Sequence, residues 1–278
     1  MVDLDLIRKA LAEDLAGGKD ITSVATVSGN ESVVADFVAR KAGVIAGIEM
    51  AEATLREVGV QDIQIHLKDG DAVVAGTVLM TVRGDTRAIL LAERTALNFL
   101  GHLGGIATLT NTWVKAVAGT KCTIRDTRKT TPGLRLLEKA AVVAGGGANH
   151  RLSLSDAALI KDNHIAAAGG VTAAFSKVRA AFPDAFIEIE VDSIDQLKEV
   201  ARQNPDLVLL DNMTPARCKE AVEFVAGRFK LEASGGISLE NALAYAQSGV
   251  DYLAIGALTH SAPVLDIGLD MKLEERVE

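Results

Sequence analysis

Residues 121–162 carry the densest charge in this chain. Eight lysines and arginines (Lys121, Arg125, Arg128, Lys129, Arg135, Lys139, Arg151, Lys161) stand there against four acids (Asp126, Glu138, Asp156, Asp162). The stretch is therefore +4, in a 278-residue chain whose formal charge is -8, so the remainder sums to -12. Concentrated positive charge in a glycine-rich frame suits a small polyanion. The acidic remainder argues against a nucleic-acid backbone as partner.

Further along, single polar or small residues recur at a nearly constant interval. Glu190, Asp211, Ser234 and Gly256 are 21, 23 and 22 residues apart, and each closes a short apolar run. Two of these ends lead into glycine turns, Ser234-Gly235-Gly236 and Ile255-Gly256-Ala257. Glycine lets the backbone approach a ligand, and free N–H groups at a helix start bind phosphate. A third glycine turn, GGGANHR at 145–151, is read as flexible and as carrying His150 and Arg151 over the mouth of a site.

These residues need elements to bring them together. The apolar runs are CTIRDT (122–127), AALIKD (157–162), FIEIEV (186–191), DLVLLD (206–211), KLEASG (230–235) and DYLAIG (251–256). Helices are expected between them at 132–144, 170–181, 193–203, 214–226 and 238–248. Repeated βα units of even period predict a parallel sheet, and without a dinucleotide fingerprint they favour a barrel. Strand C-termini of a barrel share one face, and that face carries chemistry. Read in order, that face collects Arg128 and Lys129, then Lys161, Glu190, Asp211 and the two small turns. Six or seven units fit into this length, too few for an eightfold barrel.

The first hundred residues read differently. An amphipathic helix covers 4–15, a strand 32–40, a helix 48–58 and a short strand 63–67. Residues 68–85 read as two short strands joined around Gly76, resembling the hairpins of lipoyl-type domains. No lysine stands at that turn, which speaks against a lipoyl attachment site. A helix is expected at 86–100, broken by Gly101, Gly104 and Gly105, with a second at 106–117. Arg94 lies within the first. The segment 266–275 alternates as a strand that returns to the N-terminal sheet. The domains are expected at 1–110, joined by 264–278, and at 111–263.

Composition excludes several classes. Aromatics are 4%, too few for stacking on single-stranded nucleic acid. Cys122 and Cys218 read as buried small side chains. No apolar run approaches the ~18 residues of a membrane span, so a cytoplasmic enzyme is expected. The histidines at 66, 102, 150, 164 and 260 match no metal-ligand spacing. A Schiff-base lyase using Lys161 or Lys129 leaves the phosphate turns unexplained.

The segments DTRKTTPGLRLLEKAAVVAGGGANHR and LIKDNHI closely resemble the quinolinate phosphoribosyltransferases, and the likeness extends over nearly the whole chain. The resemblance implies an N-terminal α/β sandwich domain beside an incomplete parallel α/β barrel. It implies transfer of phosphoribosyl from phosphoribosyl pyrophosphate to quinolinate, with decarboxylation and with Mg²⁺. By the same resemblance Arg128, His150, Arg151 and Lys161 hold the two carboxylates of quinolinate. Arg94 matches the arginine that reaches into a neighbouring subunit's site, which implies a homodimer or larger homo-oligomer. Thr127 and Lys129 fall beside the phosphoribosyl pyrophosphate. Glu190 and Asp211 face the ribose and, through water, the Mg²⁺. Ser234, Gly235, Gly236, Ile255, Gly256 and Ala257 take the 5-phosphate. Lys129, Glu190 and Asp211 are the residues expected to be catalytic. The alternative is a paralogous phosphoribosyltransferase acting on another small anionic acceptor.

Overall fold

The computed structural model of the chain describes residues 2–29 and 31–272. Two units emerge: Met1–Leu109 with Val143–Gly146 and Ser261–Glu278, and Thr110–Val142 with Gly147–His260. In the first unit, α1 (Leu4–Leu15) begins at Asp3, whose carboxylate accepts from Leu6 N at 3.0 Å. The short α2 (Ile21–Thr26) begins at Asp20, which accepts from Thr22 N and Ser23 N. Both aspartates satisfy amides that a helix start leaves open. There follow β1 (Ser32–Ala39), β2 (Gly43–Val44), α3 (Ile48–Glu57), β3 (Asp62–Ile65), β4 (Ala72–Val73), β5 (Val78–Asp85) and α4 (Thr86–Ala116).

In the second unit come β6 (Thr123–Arg125), α5 (Arg135–Ala144), β7 (Ala158–Ile160), α6 (Asp162–Ala168), α7 (Val171–Ala181) and β8 (Ile187–Val191). Then follow α8 (Ile194–Val200), β9 (Leu207–Asp211), α9 (Pro215–Val225), β10 (Lys230–Ser234), α10 (Leu239–Gln247), β11 (Tyr252–Ala254) and α11 (Ala257–His260). The six strands form one parallel sheet in the order β6-β11-β10-β9-β8-β7. Among the described residues β6 and β7 do not pair, so the barrel is open, as its small number of units predicts. Alternate side chains of a strand face opposite ways. Ile187, Ile189 and Val191 therefore share one face of β8, and Glu188 and Glu190 share the other.

The chain then returns to the first unit with β12 (Ile267–Lys272), which pairs antiparallel with β1. The last part of the expected strand at 266–275 and of the expected segment 264–278 lies outside the described residues. The antiparallel sheet runs β12-β1-β5-β3. Its core gathers Val33, Ala35, Phe37 and Ala39 of β1, Met80 and Val82 of β5, Ala51 and Leu55 of α3, and Ile89, Ala92 and Ala96 of α4. Complete burial of Phe37 alone contributes ~1.5–3 kcal/mol.

Two expectations for the first unit are corrected. The strands around Gly76 do not pair with each other: β4 pairs with β2, while β5 pairs with β1 and β3. Gly76 has a φ of +87° and donates to Ala39 O at 2.8 Å, so its turn closes against β1. The glycines at 101–105 do not break the helix either. α4 runs 31 residues through them. A Cβ on Gly105 would lie 2.1 Å from Pro263 O, and one on Gly101 3.2 Å from Leu265 O. The glycines are where another backbone crosses close to the helix, and glycine costs a helix only ~1 kcal/mol relative to alanine.

Candidate active site

At the C-terminal ends of the parallel strands lies a cleft of about 420 Å³. From the segment after β6 come Thr127, Arg128 and Lys129; from the loop before β7, His150 and Arg151; and after β7, Lys161. Glu190, Asp211 and Ser234 are supplied by β8, β9 and β10. The charges picked out by their spacing thus meet in one place. Lys161 Nζ donates to Glu190 Oε2 at the mouth, where the lysine is 46% exposed. Asp211 accepts from Asn212 Nδ2 at 2.7 Å and is the cross-strand partner of Ser234.

The two arginines are short of partners. Arg151 donates from Nη1 to Ala157 O at 2.8 Å, but its Nε is buried without a hydrogen bond. Arg128 Nε is in the same state. Among the described residues neither forms a salt bridge. Burial pulls Arg151 below its ordinary range, and the nearby Arg128 charge adds to this. An acid entering the cleft with two oxygens to offer would relieve both groups.

His150 and Arg151 are expected on a flexible turn over the mouth. Both do line the cleft, but the turn is pinned to the sheet. Ala148 bridges to Arg125 in parallel fashion, so residues 147–149 run beside β6 like an added strand. A Cβ on Gly147 would lie 2.8 Å from Thr110 Cγ2, which requires glycine there. His150 is buried, and its backbone N–H donates to Asp126 Oδ1 at 2.9 Å while its carbonyl accepts from Lys139 Nζ at 2.9 Å. Lys139 also donates to Asp126 Oδ1, and both side chains are sealed from solvent. Burial raises the Asp126 carboxyl and lowers the Lys139 ammonium, and each partner opposes the other's shift.

Beneath the cleft, His150 Nε2 lies 2.6 Å from Glu188 Oε2 and 3.7 Å from Glu232 Oε1. Arg125 donates from Nη1 to Glu232 Oε2 at 2.7 Å and stacks 4.6 Å over the Tyr252 ring. Burial, with the Glu188 charge beside it, pushes the Glu232 carboxyl up to about 7. Glu188, Glu232 and Lys139 escape a reading of strand ends because they lie away from those ends, and Arg125 and Asp126 escape it because Arg128 and Lys129 are taken as the charges at the end of β6. A signal was present. In FIEIEV and KLEASG, Glu188 shares a face with Glu190, and Glu232 shares one with Ser234, so the polar face runs inward from each end.

Of the two glycine turns, the first brings Ser234 to the cleft and the second packs on the cleft residue Lys129. Gly235 has a φ of +85°, and a Cβ there would sit 2.1 Å from Asn212 Oδ1. Gly236 has open space around it. Gly256 packs on the Lys129 side chain, and Thr259 Oγ1 donates to Lys129 O at 2.8 Å, so the second turn and Lys129 are tied together with Ala257 opening α11. Ile255 leaves the set: its side chain is buried and its N–H is spent on Arg125 O at 2.9 Å. Arg94 is exposed on α4, in the first unit and outside the residues lining the cleft. A second hollow of about 450 Å³ lies where β9 and β10 begin. Its lysines, Lys121 and Lys230, are already paired with Asp251, and the strand-end residues do not reach it.

Parallel strands that end on glycine turns bind phosphate esters, and those turns here border an anion-seeking cleft. The architecture is therefore that of a phosphate-handling α/β-barrel enzyme. The chain belongs to the quinolinate phosphoribosyltransferase family: the N-terminal domain of that family matches residues 20–104 and its C-terminal domain matches 106–270. The nicotinate-nucleotide pyrophosphorylase (carboxylating) of Mycobacterium leprae is 52% identical over 273 residues, which cover 96% of each chain. A mitochondrial quinolinate phosphoribosyltransferase (decarboxylating) of Nicotiana tabacum is 39% identical, over 99% of this chain and 83% of its own. The crystal structure of the Ehrlichia chaffeensis nicotinate-nucleotide pyrophosphorylase superposes with a TM-score of 0.90 at 41% identity, covering 96% of this chain and 98% of that one.

Proposed function

We propose that the chain transfers the phosphoribosyl group of phosphoribosyl pyrophosphate to quinolinate. Nicotinate mononucleotide, pyrophosphate and CO₂ are released, and the product feeds NAD biosynthesis. The observation that carries this reading is the pair Arg128 and Arg151, each with a buried Nε that has no partner. A dicarboxylate supplies what they lack, because guanidinium binds carboxylate through paired, charge-assisted hydrogen bonds. Lys161 adds a point charge at the mouth, and family membership supports the assignment.

In the transfer, the pyridine nitrogen forms a bond to ribose C1 as the C1–O bond to pyrophosphate breaks. Positive charge develops on the sugar, and Glu190 and Asp211 stabilise it from adjacent strand ends. Lys129 faces the departing pyrophosphate. The glycine turns at 234–236 and 256–257 hold the 5-phosphate by backbone amides. The pyridinium then takes up the electron pair of the C2–carboxylate bond, CO₂ leaves, and a solvent proton replaces it on the ring. Glu190 and Asp211 also fit Mg²⁺, since a hard cation takes oxygen ligands, keeps several waters and can be reached through them. Mg²⁺ on the pyrophosphate supplies charge neutralisation of the leaving group.

The test is product analysis with quinolinate, phosphoribosyl pyrophosphate and Mg²⁺, and nicotinate in a parallel reaction. Nicotinate mononucleotide and CO₂ from quinolinate alone are expected, with loss of turnover on chelation and recovery on adding Mg²⁺. Absence of product from quinolinate with folded protein overturns the reading.

The working form in this reading is a homodimer or larger assembly of identical chains, with Arg94 completing the neighbouring copy's site. Supporting it are the exposure of Arg94 and the family resemblance. Mixing Arg94→Ala with Lys161→Ala protein should restore activity that each lacks alone; no recovery sinks the shared site. A cytoplasmic location belongs to the same proposal. It is supported by two free cysteines and by the finding that no helix is long and apolar enough to cross a membrane. Cell fractionation tests it.

A further inference from the structure

Arg128 and Arg151 bring like charges to the cleft on two different loops, near enough for one to act on the other. Repulsion drives such a pair apart until a substrate bridges it. Their spacing is therefore set by the backbone that carries them, and that backbone is tied to α5. Arg135, Glu138 and Lys139 stand three and four residues apart and share one face of this helix. From there they bracket Arg151. Lys139 Nζ donates to the carbonyl before it, His150 O, at 2.9 Å, and Arg135 Nη1 to the carbonyl after it, Leu152 O, at 3.2 Å. The loop of Arg128 is tied to the same helix. The Thr130 N–H donates to Arg128 O at 3.0 Å, and the Thr130 hydroxyl accepts from Arg135 Nε at 3.0 Å. The next amide, Thr131 N–H, donates to Glu138 Oε2 at 3.0 Å.

Resting on the function proposed above, we propose that Arg135 is a positioning residue that fixes the spacing of Arg128 and Arg151, and so selects an acceptor with carboxylates on neighbouring carbons. Arg135 is half-buried and is not among the residues that line the cleft, so it acts through the two loops rather than on substrate. Its planar guanidinium presents donors in a rigid fork. Nε and Nη1 therefore hold Thr130 and Leu152 at a set separation. Thr130 lies two residues after Arg128, and Leu152 directly follows Arg151. The fork is thus a strut between the loops, placed just past the two arginines. Guanidiniums already held at one spacing match carboxylates at one spacing without a further ordering cost. With the strut cut, repulsion opens the pair. The cleft still attracts anions, but its preference for neighbouring carboxylates is lost, because specificity is a difference between two affinities.

The experiment is steady-state kinetics of Arg135→Met and Thr130→Val. Quinolinate is varied, and lutidinate, the isomer whose carboxylates are not on neighbouring carbons, is the competitor. Thr130→Val keeps the size of the side chain and removes only the hydroxyl, so it carries the test should Arg135→Met fail to fold. In each variant the KM for quinolinate should rise about tenfold while kcat stays within about threefold. The Ki of lutidinate should stay within about twofold, so the preference for quinolinate over its isomer falls about tenfold. Thr130→Ser, which keeps the hydroxyl, should restore the wild-type values. The double variant should be no worse than Arg135→Met alone, since both cut the same strut; additive losses overturn it. A purely structural role gives a different pattern. Less folded enzyme lowers the apparent kcat and leaves KM and the preference unchanged. That pattern overturns the inference, as does a Thr130→Ser that behaves like Thr130→Val. Wild-type protein that does not turn over quinolinate fails the proposed function and takes this inference with it. Turnover by the wild type, with an unchanged preference in both variants, overturns the inference alone.

Discussion

Lys139 and Asp126 form an ion pair with no route to solvent, and both also grip the backbone of His150. Their pairing joins α5, the end of β6 and the loop at 147–150 into one rigid support for the cleft. Removing one partner leaves an uncompensated buried charge, which typically costs ~3–5 kcal/mol. Lys139→Met should lower the unfolding free energy by that order, read as a fall in the urea midpoint. The double variant Asp126→Asn/Lys139→Met should recover much of the loss.

Glu232 gives a pH signature with a defined sign. Its carboxyl is raised from an ordinary 4.5 to about 7 in the folded chain. A raised carboxyl contributes stability that is complete below the unfolded value and is lost as pH climbs through the folded one. Glutamine has no such dependence. Between about pH 5 and about pH 8 the unfolding free energy of Glu232→Gln should therefore gain on wild type, by up to ~3 kcal/mol at ~1.4 kcal/mol per unit. Urea titrations at several pH values check this, and a gap that narrows in the other direction contradicts it.

Arg151 offers an unpaired, partly buried guanidinium to the acceptor. Truncating a charge that meets an opposite charge away from water typically costs ~2–5 kcal/mol. Arg151→Ala should raise the KM for quinolinate by at least tenfold. Lys161→Ala, at an exposed position, should weaken quinolinate binding too but by less. Steady-state kinetics with both substrates varied make the comparison, and unchanged kinetics in either variant remove that residue from the site.

Gly105 should not tolerate a methyl group. Alanine improves a helix by up to ~1 kcal/mol, yet here its Cβ would meet Pro263 O at 2.1 Å. Overpacking of this kind costs ~1–3 kcal/mol. Gly105→Ala should lower the melting temperature, whereas Gly59→Ala, which meets nothing within 4 Å, loses only the ease of a φ of +98°.

These cases also mark which parts of the molecule could be read from the chain. The six parallel strands were legible because each pairs a β-branched run with a polar terminus, and a strand end is a local feature. So were Lys161, Glu190 and Asp211, which stand at those ends. What sits one pleat deeper was hidden by its surroundings. Glu188 looks like a solvated charge until β10 and the His150 loop are known to close over it. Gly101, Gly104 and Gly105 read as a helix stop because the chain that crosses them, Pro263–Leu265, lies some 160 residues away. Ile255 looked like part of a phosphate turn, but its amide belongs to the sheet.

The strand β12 has a consequence for how the molecule is made. It lies beside β1 in the first sheet, and Leu265 and Ile267 enter that sheet's core. On a ribosome, β1 emerges early and must wait for more than two hundred further residues before that neighbour exists. The parallel unit, complete by His260, has all its strands in hand first. The order of birth is thus reversed in the order of completion: the second unit can close during synthesis, and the first carries an open strand edge until residue 272 is free.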